Sequence, residues 1–141
     1  MYEKKILIVE DEKEAAELLE DFLRGEGFSA VEHAIDGIQA VRKAHKFMPD
    51  LILLDLNIPG GDGSTVLRRL KLAVSTAQIP IIVITGVEDD TIKEKFLGEG
   101  GVCAYFQKPY KPEALLNKIK RILNEPLVKE VCPKRLSLSL S

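Results

Sequence analysis

Short unbroken apolar runs alternate along this chain with segments whose apolar residues recur every three or four positions. Ile6-Leu7-Ile8-Val9 is the first run, and a strand without polar alternation is one buried on both faces. Residues 12 to 25 then place Ala15, Leu18, Leu19, Phe22 and Leu23 at helical spacing, closed by Gly25 and Gly27. A weaker strand is expected from Phe28 to Ala34, and Asp36 is the expected N-cap of a helix carrying Ile38, Val41, Ala44 and His45. Leu51-Ile52-Leu53-Leu54 is a third strand, followed by turn formers and a helix from about Ser64 to Ala73 with Val66, Leu67 and Leu70. Ile79 to Ile84 is a fourth strand, with Pro80 near its start, where a strand tolerates proline. Asp89 or Asp90 caps a fourth helix bearing Ile92, Phe96 and Leu97, and Val102 to Phe106 is a fifth strand. Pro112 opens a fifth helix presenting Leu115, Leu116, Ile119, Ile122 and Leu123.

Five strands and five helices in strict alternation predict an α/β fold with a parallel sheet covered by helices on both faces. Right-handed crossovers and chain size favour the flavodoxin-like doubly wound (βα)5 arrangement, with strand order 2-1-3-4-5. In such a sheet the site lies at the carboxyl ends of the strands, where strands one and three diverge.

Composition narrows the function. With 141 residues, 45 % hydrophobic and 30 % charged, the chain is long enough for one ordinary globular domain. Twenty basic against 22 acidic residues leave a net charge of −2 and no basic footprint for nucleic acid. No apolar run reaches membrane-spanning length, and Met1-Tyr2-Glu3-Lys4-Lys5 does not read as a signal peptide, so no membrane contact and a cytoplasmic location are expected. Cys103 and Cys132 lack metal-ligand spacing and any disulfide framework.

The strand ends carry the candidate chemistry. Asp55 closes an apolar strand, where a carboxylate is costly unless its head emerges into a charged site. The first strand ends in Glu10-Asp11-Glu12, the fourth in Thr85-Gly86, and the fifth runs through Tyr105 to Lys108. Glu10, Asp11 and Asp55 would repel one another, and hard oxygen ligands with room for water suit Mg2+. Lys108, the Thr85 hydroxyl and the amides of the loop after Asp55 would stabilise a phosphoryl group during transfer, with Asp55 as the nucleophile.

These pieces resemble a response-regulator receiver domain. The matching segments are residues 6–12, residues 49–63 around Asp55, Ile81-Ile82-Val83-Ile84-Thr85-Gly86, and Tyr105-Phe106-Gln107-Lys108-Pro109, in family order and spacing over residues 4 to about 124. The chain resembles the single-domain chemotaxis-type and sporulation-type receivers of two-component and phosphorelay systems. The resemblance implies that Asp55 is the phosphoacceptor and Asp11 a direct Mg2+ ligand. Glu10 would reach the metal through water, and Asn57 would ligate it through its backbone carbonyl. Thr85 and Lys108 would contact the phosphoryl oxygens, Thr85 and Tyr105 would form the switch, and the Lys108–Pro109 bond would be cis, which proline permits. A histidine kinase or histidine phosphotransfer protein would be the donor. The output would be altered binding of a downstream protein or a second copy through the fourth helix, fifth strand and fifth helix. Such a domain is no enzyme beyond catalysing its own phosphorylation and dephosphorylation. Two positions depart from the commonest pattern: Glu10 stands where aspartate is more frequent, and Gly86 where alanine is often found.

Two other classes remain to be weighed. A haloacid-dehalogenase-like phosphatase also uses a strand-end aspartate with Mg2+, but needs an acid two residues on, where this chain has Asn57. A receiver-like binding module that takes no phosphate would not need the complete residue set. Asp62 reads as a turn former beside Gly63, Glu12 as a helix-start acid suited to the dipole, and His33 and His45 lack partners at useful spacing. The receiver is expected over residues 1–124. Pro126 ends the last helix, and residues 125–141 are expected to be a flexible tail or the remnant of a truncation.

Overall fold

Parallel pairing of apolar strands organises the chain in the computed structural model, which describes residues 4–56, 63–86 and 102–124. In chain order these are β1 (Lys5–Val9), α1 (Lys13–Gly25), β2 (Ala30–Ala34), α2 (Gly37–Phe47), β3 (Leu51–Leu54), α3 (Gly63–Leu72), β4 (Ile81–Thr85), β5 (Val102–Gln107) and α4 (Pro112–Asn124). The sheet order is β2-β1-β3-β4-β5, all parallel, as the alternation of periods predicts. The helix expected between Asp89 and Leu97, the Asn57 loop and the tail from residue 125 lie outside the described residues.

The pleat sends alternate residues to opposite layers. Leu7, Val9, Ile52, Leu54, Ile81 and Val83 meet Ala40 and Ala44 of α2 and Val66, Leu67 and Leu70 of α3. Ile6, Ile8, Leu51, Leu53, Ile82 and Ile84 meet Ala16 and Leu23 of α1 and Leu115, Ile119 and Ile122 of α4. Both faces of β1, β3 and β4 are therefore dry, which is why their sequences carry no alternation.

Local chemistry sets the boundaries. Asp36 caps α2 as expected, its side chain accepting from the Gln39 amide at 2.7 Å. β2 begins at Ala30 rather than Phe28, because the Phe28 amide still bonds back to the Leu23 carbonyl at 3.0 Å and Gly27 turns the chain with φ 104°. β4 begins after Pro80, since Ile79 donates to Thr76 in a turn and proline has no amide to offer.

One irregularity interrupts the ladder. Ile81 pairs with Val102 but Ile82 pairs with Ala104, so Cys103 is an extra residue on β5, a β-bulge. Cys103 is disulfide-bonded, contrary to the expectation of no disulfide. Two cysteines 29 positions apart form no sequence pattern, and Cys132 lies outside the described residues. The bond between Lys108 and Pro109 is cis, as expected. No helix among the described residues is long and apolar enough to cross a membrane.

Candidate functional site

The acidic cluster is assembled by backbone register. Val9 of β1 pairs with Leu54 of β3, so the next residues, Glu10 and Asp55, leave the sheet side by side at its switch point. The Asp55 amide donates to the Val9 carbonyl at 3.0 Å and the Glu10 amide to the Ala34 carbonyl at 2.9 Å, fixing both main chains. Carboxylate oxygens of Glu10, Asp11 and Asp55 all lie within 4.8 Å of one another. Glu10 and Asp55 are buried, and Asp11 faces solvent.

Lys108 enters from the other side of the sheet's carboxyl edge. Its Nζ stands 2.7 Å from Glu10 Oε1 and 2.9 Å from Asp55 Oδ2. Burial alone would lower the Lys108 pKa, but hydrogen bonds and attraction from Glu10 and Asp55 outweigh it and hold the ammonium well above the usual lysine range. Glu10 is raised from its ordinary value, chiefly by burial, with the Asp55 charge adding to the effect and the Lys108 hydrogen bond opposing it. Its Oε2 also accepts from the Glu12 amide at 3.3 Å.

One ammonium among three carboxylates leaves local negative charge uncompensated. All-oxygen ligands, one of them open to water, fit a small hard divalent cation such as Mg2+. Thr85, at the end of β4, is buried, and its carbonyl accepts from the Lys108 amide at 2.8 Å. Tyr105 pairs with Val83 and packs half-buried against the α2/α3 layer. A Cβ at Gly86 would meet nothing within 4 Å among the described residues, so the chain is open there. Asn57 lies outside the described residues, so the structure brings together Glu10, Asp11, Asp55, Thr85 and Lys108.

A cavity of about 560 Å³ adjoins the cluster. Glu10, Asp55 and Lys108 form its polar end, and Leu18, Leu19, Phe22, Pro109 and Tyr110 its apolar walls. Leu18 is 72 % exposed, which neither helical spacing nor apolarity foretold. Burial chiefly raises the Tyr110 pKa, with Lys108 opposing and Glu10 adding. His33, which spacing left without a partner, has Nε2 2.8 Å from Glu20 Oε1, though not in hydrogen-bonding direction. That pairing joins β2 to α1 and could not be found from local spacing.

Comparison with known proteins agrees with this geometry. A family model described as the response regulator receiver domain matches residues 6–120. The phosphate regulon transcriptional regulatory protein PhoB of Shigella flexneri is 36 % identical over 142 residues, covering 98 % of this chain and 60 % of that protein. The chain thus spans less than two-thirds of that relative's length. Among solved structures, a putative response regulator from Chloroflexus aurantiacus superposes with TM-score 0.79 at 33 % identity, covering 88 % of this chain and all of that one. The receiver domain of the sensor histidine kinase PA1611 from Pseudomonas aeruginosa has TM-score 0.77 at 31 % identity, with coverage of 88 % and 100 %. That structure is described as having a magnesium ion coordinated in its active site cleft.

Proposed function

Because the chain belongs to the response regulator receiver domain family, the signalling modules of two-component systems, we propose that it is a phosphorylation-dependent switch that accepts a phosphoryl group on Asp55. The observation that carries the reading is the double contact of Lys108 with Glu10 and Asp55 inside a three-carboxylate cluster. No purely structural need explains burying two acids at a strand switch point, where water would otherwise solvate them at lower cost.

In this reading an Asp55 carboxylate oxygen forms the new P–O bond while the P–N bond to a donor histidine breaks. The electron pair goes to the imidazole nitrogen, which takes a proton from solvent. A divalent cation held by Asp11 and Asp55, by Glu10 through water and by the Asn57 carbonyl would neutralise charge on the transferring oxygens. Lys108 and the Thr85 hydroxyl bind those oxygens from the opposite side and orient the group for attack. Magnesium in the related Pseudomonas cleft supports that choice of ion.

The apolar walls beside the cluster, with exposed Leu18, suit a protein donor: a histidine kinase or a histidine phosphotransfer protein. Once phosphorylated, Asp55 draws the Thr85 hydroxyl inward and lets Tyr105 follow. This would change the surface of the helix expected at residues 89–97, of β5 and of α4, and with it affinity for a downstream protein or a second copy. Residues 1–124 would be the receiver and 125–141 a tail outside it. The chain acts in the cytoplasm and turns over no free substrate beyond its own phosphoryl group.

Acetyl phosphate with Mg2+ tests the central step. Intact-mass spectrometry should find one added phosphoryl group on the wild type and none on Asp55→Asn. Equal labelling of both would overturn the assignment.

A further inference from the structure

We propose that the disulfide of Cys103 is a reversible redox tether. It joins β5 to Cys132, ties the segment after α4 back to the edge of the sheet, and restrains β5 until a dithiol reductant opens it.

The partner follows by elimination. Cys103 is disulfide-bonded, and the sequence holds one other cysteine, so a bond within the chain closes on Cys132. Reach permits it. Cys103 packs in one cluster with Leu123 of the α1/α4 layer, and α4 ends at the next residue, Asn124. Eight positions separate Asn124 from Cys132. An extended chain of that length spans up to about 28 Å.

The place of the bond gives it leverage. β5 lies at one edge of the five-stranded sheet, paired with β4. An edge strand opens more readily than a central one, because fewer ladder bonds hold it. Cys103 is the bulged residue of that strand, and it stands two positions before Tyr105. A covalent tie there restrains the strand where its ladder is already interrupted.

The fold does not need the bond. Buried side chains cover both faces of the sheet, and a domain of this size closes without staples. In the cytoplasm, where the chain is proposed to act, disulfides meet thiol reductants, and those that form there are usually transient or redox-sensing. Reduction balances as a two-electron exchange. One thiolate of a dithiol attacks a sulfur of the bond, the other sulfur leaves as thiolate, and the second thiol of the reductant then displaces the first. The two protons given up by the reductant end on Cys103 and Cys132, and the reductant ends as its own disulfide. Cys103 is 3 % exposed, so its thiol stays in the core while the segment after α4 is released.

Oxidised and reduced wild type, with Cys132→Ser as the variant that leaves the buried Cys103 side chain in place, test the tether. Peptide mapping without reductant should find Cys103 linked to Cys132 in the same chain. A link only between copies, or none after treatment with oxidised glutathione, would overturn the proposal. Reduced glutathione at about 10 mM should open the bond and add about two mass units per chain. A bond that survives this treatment is a permanent staple, and the redox role falls. Reduction should lower the melting temperature by about 5–15 °C and speed hydrogen exchange at residues 102–107 about tenfold or more. Cys132→Ser should match the reduced wild type whether or not reductant is present. Equal exchange of β5 in oxidised and reduced wild type would overturn the restraint. None of these readouts involves phosphorylation, so they stand or fall separately from the role of Asp55.

Discussion

The backbone amide of Lys108 donates to the carbonyl of Thr85 at 2.8 Å, so the ammonium and the hydroxyl proposed to hold the phosphoryl oxygens belong to residues that share one main-chain link. The link does not involve the Thr85 side chain. Thr85→Ala should therefore leave Lys108 in place and Mg2+ affinity within about twofold, while removing the hydroxyl that transmits the signal. With beryllofluoride and Mg2+, amide shifts across residues 102–110 should be large in wild type and much smaller in the variant. Perturbations that stay confined to residues 10–12 and 55–56 in both would mean that the protein binds without switching.

Without metal, Lys108 is expected to stabilise the fold. Replacing it with methionine leaves Glu10 and Asp55 buried without their shared cation. A fully buried pair broken in this way costs about 3–5 kcal/mol, and solvent access to Lys108 reduces the expected loss to about 1–2 kcal/mol. Chemical denaturation without metal measures this, and saturating Mg2+ should restore most of it through linkage.

Asp11 should behave in the opposite way. It is exposed and adds a like charge to two buried acids. Asp11→Ala should leave the metal-free melting temperature unchanged or raised, while phosphorylation at millimolar Mg2+ is lost. A marked fall in melting temperature would identify Asp11 as structural.

Acid should weaken metal binding early. Burial, reinforced by Asp55 and opposed by Lys108, raises Glu10 from its ordinary 4.5, and Mg2+ needs the deprotonated carboxylate. Affinity should begin to fall above the usual glutamate range as pH drops from 7, and less steeply in Glu10→Gln. For metal-free stability the sign reverses. A raised acid contributes most below its unfolded pKa, and the contribution is lost as pH rises through the folded value. Titrations at several pH values, with and without metal, separate the two effects.

Leu53 tests the scaffold. It is 1 % exposed in the α1/α4 layer, two residues before Asp55 on the same strand. Leu53→Ala should cost about 2–5 kcal/mol of unfolding free energy. Phosphorylation should persist in the fraction that remains folded.

The strands, their order and the strand-end residues were legible in the sequence because dry parallel strands and strand-end carboxylates leave strong local signals. Glu10, Asp55 and Lys108 could be expected to converge, but not that Lys108 would bond to Glu10 as well as to Asp55. That double contact depends on side-chain reach across strands, which no spacing encodes. The approach of His33 to Glu20 was hidden for the same reason, being formed by the packing of α1 on β2. The starts of β2 and β4 were misplaced by two residues because turn bonds at Phe28 and Ile79 outcompeted their β propensity.

The extra residue at Cys103 reverses the parity of everything after it on β5. Val102 faces the α2/α3 layer, and uninterrupted alternation would send Tyr105 to the α1/α4 layer and Phe106 away from it. The opposite is found: Tyr105 lies with Val83 in the α2/α3 layer and Phe106 with Ile84 in the other. The two rings would trade sides if one residue were deleted here, although neither would have been mutated. The length of this strand is therefore as much a part of the proposed switch as the tyrosine itself.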